Sequence, residues 1–174
     1  SSAQADVERI RRDHAQRQVT QGTARQAARV AQLLQQAAAA EARGDLLTPP
    51  GDSAYDKLRA AQALAPRDRE VQAAVARLLP AARTCFDRSL SANSLGRAAD
   101  CLEARDLLGD DATGVAQARR RLAQRWLAIG DERLAGGQLA NAQAALATAR
   151  AIDPSAPGLT EFEQRLRTAS ATGG

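Results

Sequence analysis

The stretch DATGVAQARRRLAQRWLAIGDERLAGGQLANAQAALATARAIDP, Asp111 to Pro154, is the third pass of a pattern that the chain has already run through twice. Sliding it back by 44 residues sets Leu122 on Leu78 and Leu34, Leu134 on Leu90 and Leu46, and Ala142 on Ala98 and Ala54. Leu146 falls on Leu102 and Leu58, and Ile152 on Leu108 and Leu64. Register holds from about Ala27 to Pro154 without an insertion. A fixed period of this length means one supersecondary unit stacked on itself. The expected fold is therefore an all-α solenoid of three 44-residue repeats, 23–66, 67–110 and 111–154.

Within each repeat the pattern reads as a long helix, a turn and a shorter helix. Apolar columns start the long helix at Val115, Ala118, Leu122 and Trp126, matched by Val71, Ala74, Leu78 and Ala82, and by Ala27, Val30, Leu34 and Ala38. Spacings of three and four keep them on one helical face. Helix breakers follow at one phase: Thr48-Pro49-Pro50-Gly51, Asn93-Ser94 and Gly136-Gly137. Shorter helices are expected over about 52–64, 96–108 and 140–152, with Pro66 and Pro154 closing two of them and Asp110-Asp111 at that phase in the middle copy. Pro80 removes a backbone donor inside the second long helix and predicts a kink or a break.

Outward from the repeats, residues 1–22 are polar and weakly periodic. Val7, Ile10 and His14 line a narrow stripe, which predicts a loosely packed helical extension or stalk separated from the first repeat by Gly22. After Pro157, Leu159, Phe162 and Leu166 predict a capping helix over 157–169, the cover that a solenoid's last core requires. Residues 170–174 read as a disordered tail. The chain opens on Ser1-Ser2, as a processed or excised product would, so an upstream membrane anchor or signal stays open. No run approaches the roughly 20 apolar residues of a membrane span.

Composition narrows the function. Aromatics make up 2% of the 174 residues, while Ala supplies about a quarter, a composition suited to closely stacked helices. The net charge is +4, but the basic residues are nearly all Arg, which suggests a GC-rich bacterial genome more than a polyanion-binding surface. The densest cluster, Arg119 to Arg121 with Arg125, is followed by Asp131 and Glu132 and has no interleaved aromatics to stack bases. A nucleic-acid partner is not expected. A helical repeat using that cluster would bind with a steep salt dependence.

Catalysis finds little support. A nucleophile needs a base in reach, and the only His is His14, in the polar extension. One His and two Cys make no standard zinc site, and Gly130, Gly136 and Gly137 read as a repeat turn without the Lys-Ser/Thr of a phosphate loop. Asp110-Asp111 and Asp131-Glu132 fall at expected helix junctions, where capping explains them. No enzyme, metal or cofactor is expected.

The cysteines are more informative. Cys85 lies eight residues before Asn93 and Cys101 eight after it, so a helix pair turning at Asn93 sets them side by side. The same two columns hold Glu41 and Lys57 in the first copy and Ile129 and Ala145 in the third, compatible pairs in each case. Facing geometry favours a disulfide, and with it a periplasmic or other extracytoplasmic location. Two buried free thiols in a cytoplasmic protein are the alternative.

Trp126, Ile129-Gly130, Gly137, Leu139, Ala142, Leu146, Ala149 and Pro154 fall at the spacings of the tetratricopeptide repeat, and the third copy resembles that family. The first copy shares the second-helix half through Ala54, Leu58, Ala61 and Pro66. Arg133 replaces a preferred aromatic, Arg105 and Asp110 break the middle copy, and the period is 44 where the family has 34. A HEAT- or armadillo-like array of helix pairs is the structural alternative. The resemblance implies a right-handed array whose long helices line a concave, partner-binding face. Transferred through the family spacing, that face consists of Arg43, Arg83, Asp87, Gln124, Leu127 and Asp131. Its mixed charge fits a protein or peptide partner. The expected function is a scaffold or adaptor module of a bacterial envelope protein. The alternative is a ligand- or dimerisation-sensing domain of a membrane-anchored signalling protein, such as a receptor-type serine/threonine kinase.

Overall fold

The computed structural model describes residues 1–173, and within them the chain is all-helical. Seven helices follow in order: α1 (Ser2–Arg43), α2 (Ala54–Leu64), α3 (Arg69–Ser91), α4 (Leu95–Leu107), α5 (Ala112–Ala135), α6 (Leu139–Ile152) and α7 (Leu159–Thr172). They fall into two compact units, Ser1–Leu78 and Leu79–Gly174, with α3 contributing its first half to one and its second half to the other. α3 runs through Pro80 without a break.

In the first unit α1 packs on α2, and Val30, Leu33, Ala61 and Val71 form a small core. α1 is longer than expected: Gly22 does not interrupt it, and the extension and the first long helix are one helix. It ends at Gly44, whose left-handed backbone (φ 79°) lets its N–H reach the Ala40 and Glu41 carbonyls. That end comes ahead of the Thr48-Pro49-Pro50-Gly51 breaker, which lies in a loop that follows. The loop returns to Ser53, whose hydroxyl accepts from Asp56 N–H at 3.1 Å and caps α2. Asp68 caps α3 in the same way, accepting from the Glu70 and Val71 N–H groups.

The second unit holds the regular part of the pattern. α4 packs on α5, α5 on α6, and α7 on both α5 and α6. Phe86, Leu90, Leu102, Val115 and Leu122 form one core, and Leu127, Leu146, Leu159, Phe162 and Leu166 another. The α3–α4 and α5–α6 turns superimpose in sequence: Ser94 N–H bonds to the Ser89 carbonyl and Gln138 N–H to the Arg133 carbonyl, each at 2.8 Å. Asn93 and Gly137, one repeat apart, supply the left-handed residue at φ 59° and 75°.

Gly130 is not a turn residue. It lies inside α5, and a Cβ there would stand 2.7 Å from Cζ of the fully buried Phe162. Only glycine lets the capping helix α7 approach this closely. α7 also extends beyond its expected end to Thr172, so the segment read as a disordered tail is helical that far, and Gly174 lies outside the described residues.

Candidate partner-binding groove

Of the six residues expected on a binding face, Leu127 must be withdrawn. It is 7% exposed and packs in the core beneath α7, where a Cβ on Gly158 would meet its Cδ1 at 3.8 Å. The cap helix that the sequence itself predicted covers it. Gln124 is exposed on α5. The four charged residues are exposed but paired. Arg43 bonds to Asp45 at 3.0 Å in the first unit. In the second, Asp87 meets Arg121 at 3.3 Å and Asp131 meets Arg165 at 2.6 Å.

These last two pairs are one repeat apart at both ends, and tie α3 to α5 and α5 to α7. The same columns hold Arg43 and Arg77 in the first copy, two like charges that cannot form the tie.

Arg83 belongs to a different device. It forms an ion pair with Asp110, and Arg105 reaches the second Asp110 oxygen at 2.7 Å. The Asp110 side chain is 1% exposed and that of Arg105 is 11% exposed. The Arg83 hydrogen bond, helped by Arg105 and by the Asp111 N–H, holds the Asp110 carboxyl well below the usual carboxylate range, against burial, which pushes it up. Arg105 also stacks on Phe86, with its guanidinium carbon 5.4 Å from the ring centre. Arg105 and Asp110 are the two departures that set the middle copy apart from its neighbours. They change together: the apolar columns of Ala61, Ala149, Pro66 and Pro154 become a buried ion pair that closes the α4–α5 junction.

Cys85 on α3 and Cys101 on α4 lie side by side with Cα atoms 5.8 Å apart and are joined as a disulfide. The equivalent pair in the first copy does not meet as expected. Lys57 turns to Asp52 at 3.5 Å, and Glu41 enters no ion pair among the described residues.

Glu41 instead faces a groove between α1 and the start of α3. Two recesses of about 270 and 300 Å³ share Leu34 and Glu70. One is bounded by Ala38, Glu41, Ala73 and Arg77, the other by Ala27, Ala31, Ala65 and Asp68. Its floor is the face expected to be core. In the other copies the equivalent Val71, Leu78, Ala82, Val115 and Leu122 are buried, but here Ala27 and Ala38 are exposed and Leu34 is half-buried. α1 has turned so that Val30, Leu33, Ala37 and Ala40 face inward. Above this apolar floor stand Glu41, Asp68 and Glu70 against the single cation Arg77, an acidic site in a basic chain.

Sequence reasoning missed this groove, although one signal for it was present: the like-charged Arg43 and Arg77 in columns that elsewhere make Asp–Arg ties. Among the described residues, no three His, Cys, Asp or Glu side chains gather to hold a metal ion, and no helix is long and apolar enough to cross a membrane. Comparison with protein-family models, with curated proteins and with solved structures finds no match.

Proposed function

We propose that this protein is a non-enzymatic, tetratricopeptide-like interaction module whose three 44-residue repeats stack as a short helical array. The groove between α1 and α3 is its docking site. The observation that carries this reading is the uncovered apolar floor of Ala27, Leu34 and Ala38, overhung by Glu41 and Glu70, neither of which enters an ion pair among the described residues. Apolar surface next to uncompensated acidic groups suits a segment that brings aliphatic side chains and positive charge together, so the partner is a cationic amphipathic stretch of another protein. The same acidic rim repels a polyanion. The Cys85–Cys101 bond supports an extracytoplasmic setting, where disulfides persist, and the Arg- and Ala-rich composition supports a bacterial envelope protein.

Titration of fluorescent helical peptides tests this. A Leu/Arg amphipathic peptide should bind saturably, and its Leu/Glu counterpart should not. Glu41→Lys with Glu70→Lys should weaken binding at least about tenfold, as expected for losing two charge contacts in a partly dry groove. Arg120→Glu, on α5, should leave it unchanged. Equal binding of both peptides, or indifference to the double variant, would remove the groove from consideration. A second reading, a dimerisation-sensing domain, draws support from the long exposed arm at the start of α1.

A further inference from the structure

Residues 1–29 are exposed on every side, and only from about Thr23 onward does α1 border the rest of its unit. Residues 2–22 therefore project as a bare helical arm, about 30 Å long at the helical rise. Among the described residues only local contacts support it, such as Asp6–Arg9 at 3.4 Å, Glu8–Arg12 at 3.9 Å, His14–Gln18 at 3.2 Å and Thr20 Oγ1 to the Gln16 carbonyl at 2.9 Å. Most helical stability in proteins comes from packing an apolar face, which this arm does not do in a single copy.

It does have such a face. Ala3, Val7, Ile10, His14, Arg17 and Gln21 alternate at spacings of four and three, the seam of a heptad repeat. Val7 is 48% exposed and Ile10 62% exposed, so the apolar end of the seam is open. The flanking residues decide what covers it. With Val7 and His14 at the first core position of each heptad, Asp6 and Asp13 precede the seam, and Arg11 and Gln18 follow it. In a parallel, in-register pair, Asp6 of each helix lies against Arg11 of the other, and Asp13 against Gln18. These are two opposite-charge contacts with no like-charge clash in the flanks. In an antiparallel pair centred on the seam, Asp13 would face Asp13. Arg17 enters the seam one turn after Asp13, the order in which a carboxylate best supports a cation on the same helix. In the parallel pair Arg17 faces Arg17 across the seam, a like-charge layer that lowers affinity, next to the polar layer of His14.

We infer that residues 2–22 of α1 pair with the same segment of a second copy as a parallel, two-stranded coiled coil. This does not depend on the groove, which lies further along the chain. The dimer is of modest affinity, because Ala3, Val7 and Ile10 form the only apolar stretch of the seam.

The test uses the full chain in sedimentation equilibrium. The wild type should show a concentration-dependent dimer. Ile10→Asp should abolish it without loss of helical folding in the rest of the chain, since Ile10 lies on the exposed arm outside every core cluster described above. Asp6→Arg should weaken it about tenfold by turning two attractive contacts into repulsive ones, and adding Arg11→Asp should restore it. Orientation is read from Ile10→Cys: oxidation should link residue 10 to residue 10, while Cys85 and Cys101 remain bonded to each other. A monomer at every accessible concentration would overturn the inference. So would a dimer indifferent to Ile10→Asp and Asp6→Arg, or one abolished by Glu41→Lys with Glu70→Lys, which would place the contact in the groove.

Discussion

Replacing Gly130 by Ala sets two opposed effects against each other at one atom. In a helix interior Ala is favoured over Gly by about 1 kcal/mol. Here the added methyl would stand 2.7 Å from Phe162 Cζ, 3.1 Å from Cε1 and 3.3 Å from the Ala145 Cβ. Carbon atoms pack best at about 3.5–4.0 Å, so the ring must retreat by close to 1 Å. Phe162 is fully buried at the centre of the contact between α5 and α7, and the retreat strains that core. Overpacking of this kind costs about 1–3 kcal/mol, so the expected net effect is a loss of about 1 kcal/mol, or roughly 4–8 °C in the melting temperature of a unit of this size. Gly22→Ala is the internal control: it lies inside α1 with no heavy atom within 4 Å of the added Cβ, and should stabilise its helix by about 1 kcal/mol. Urea denaturation followed by circular dichroism, with Phe162→Leu combined with Gly130→Ala as a double-mutant cycle, measures both signs and the coupling. Gly130→Ala as stable as the parent, or uncoupled from Phe162, would refute the claim that Gly130 exists for the approach of α7.

Three further outcomes follow from the second unit. Reducing the Cys85–Cys101 bond, which spans 16 residues, should cost about 3 kcal/mol by the chain-entropy estimate; denaturation midpoints that match with and without reductant would contradict it. Asp110→Ala should destabilise by about 2 kcal/mol, less than a fully buried pair because Arg83 is half exposed; a variant of parental stability would show that the pair only breaks even. Because the folded Asp110 carboxyl titrates below its unfolded value, its contribution is whole above the ordinary carboxylate range of about 4 and is lost as pH falls through the folded value. Asp110→Asn should therefore flatten the acid limb of the stability profile, and an unchanged limb would rule Asp110 out as its source.

The sequence by itself determined the all-helical class and the turn phases of the second and third copies, but not the ends of α1 and α7. A 44-residue period in Leu and Ala, together with Asn93, Gly137 and Pro154 at fixed phases, is local chemistry: side-chain spacing selects a helix, and left-handed residues end it. The facing of Cys85 and Cys101 was legible for the same reason, since both positions are measured from one turn. What the tertiary structure alone decided is which faces are covered. Leu127 looked available until α7 lay over it, and Ala27 and Ala38 looked like core until α1 turned Leu33 and Ala37 inward. Arg105 and Asp110 looked like damage to a repeat, but together they form its buried ion pair. Periodicity states that a face is apolar or charged; only packing supplies what lies opposite it, and a binding groove is a face left without an opposite.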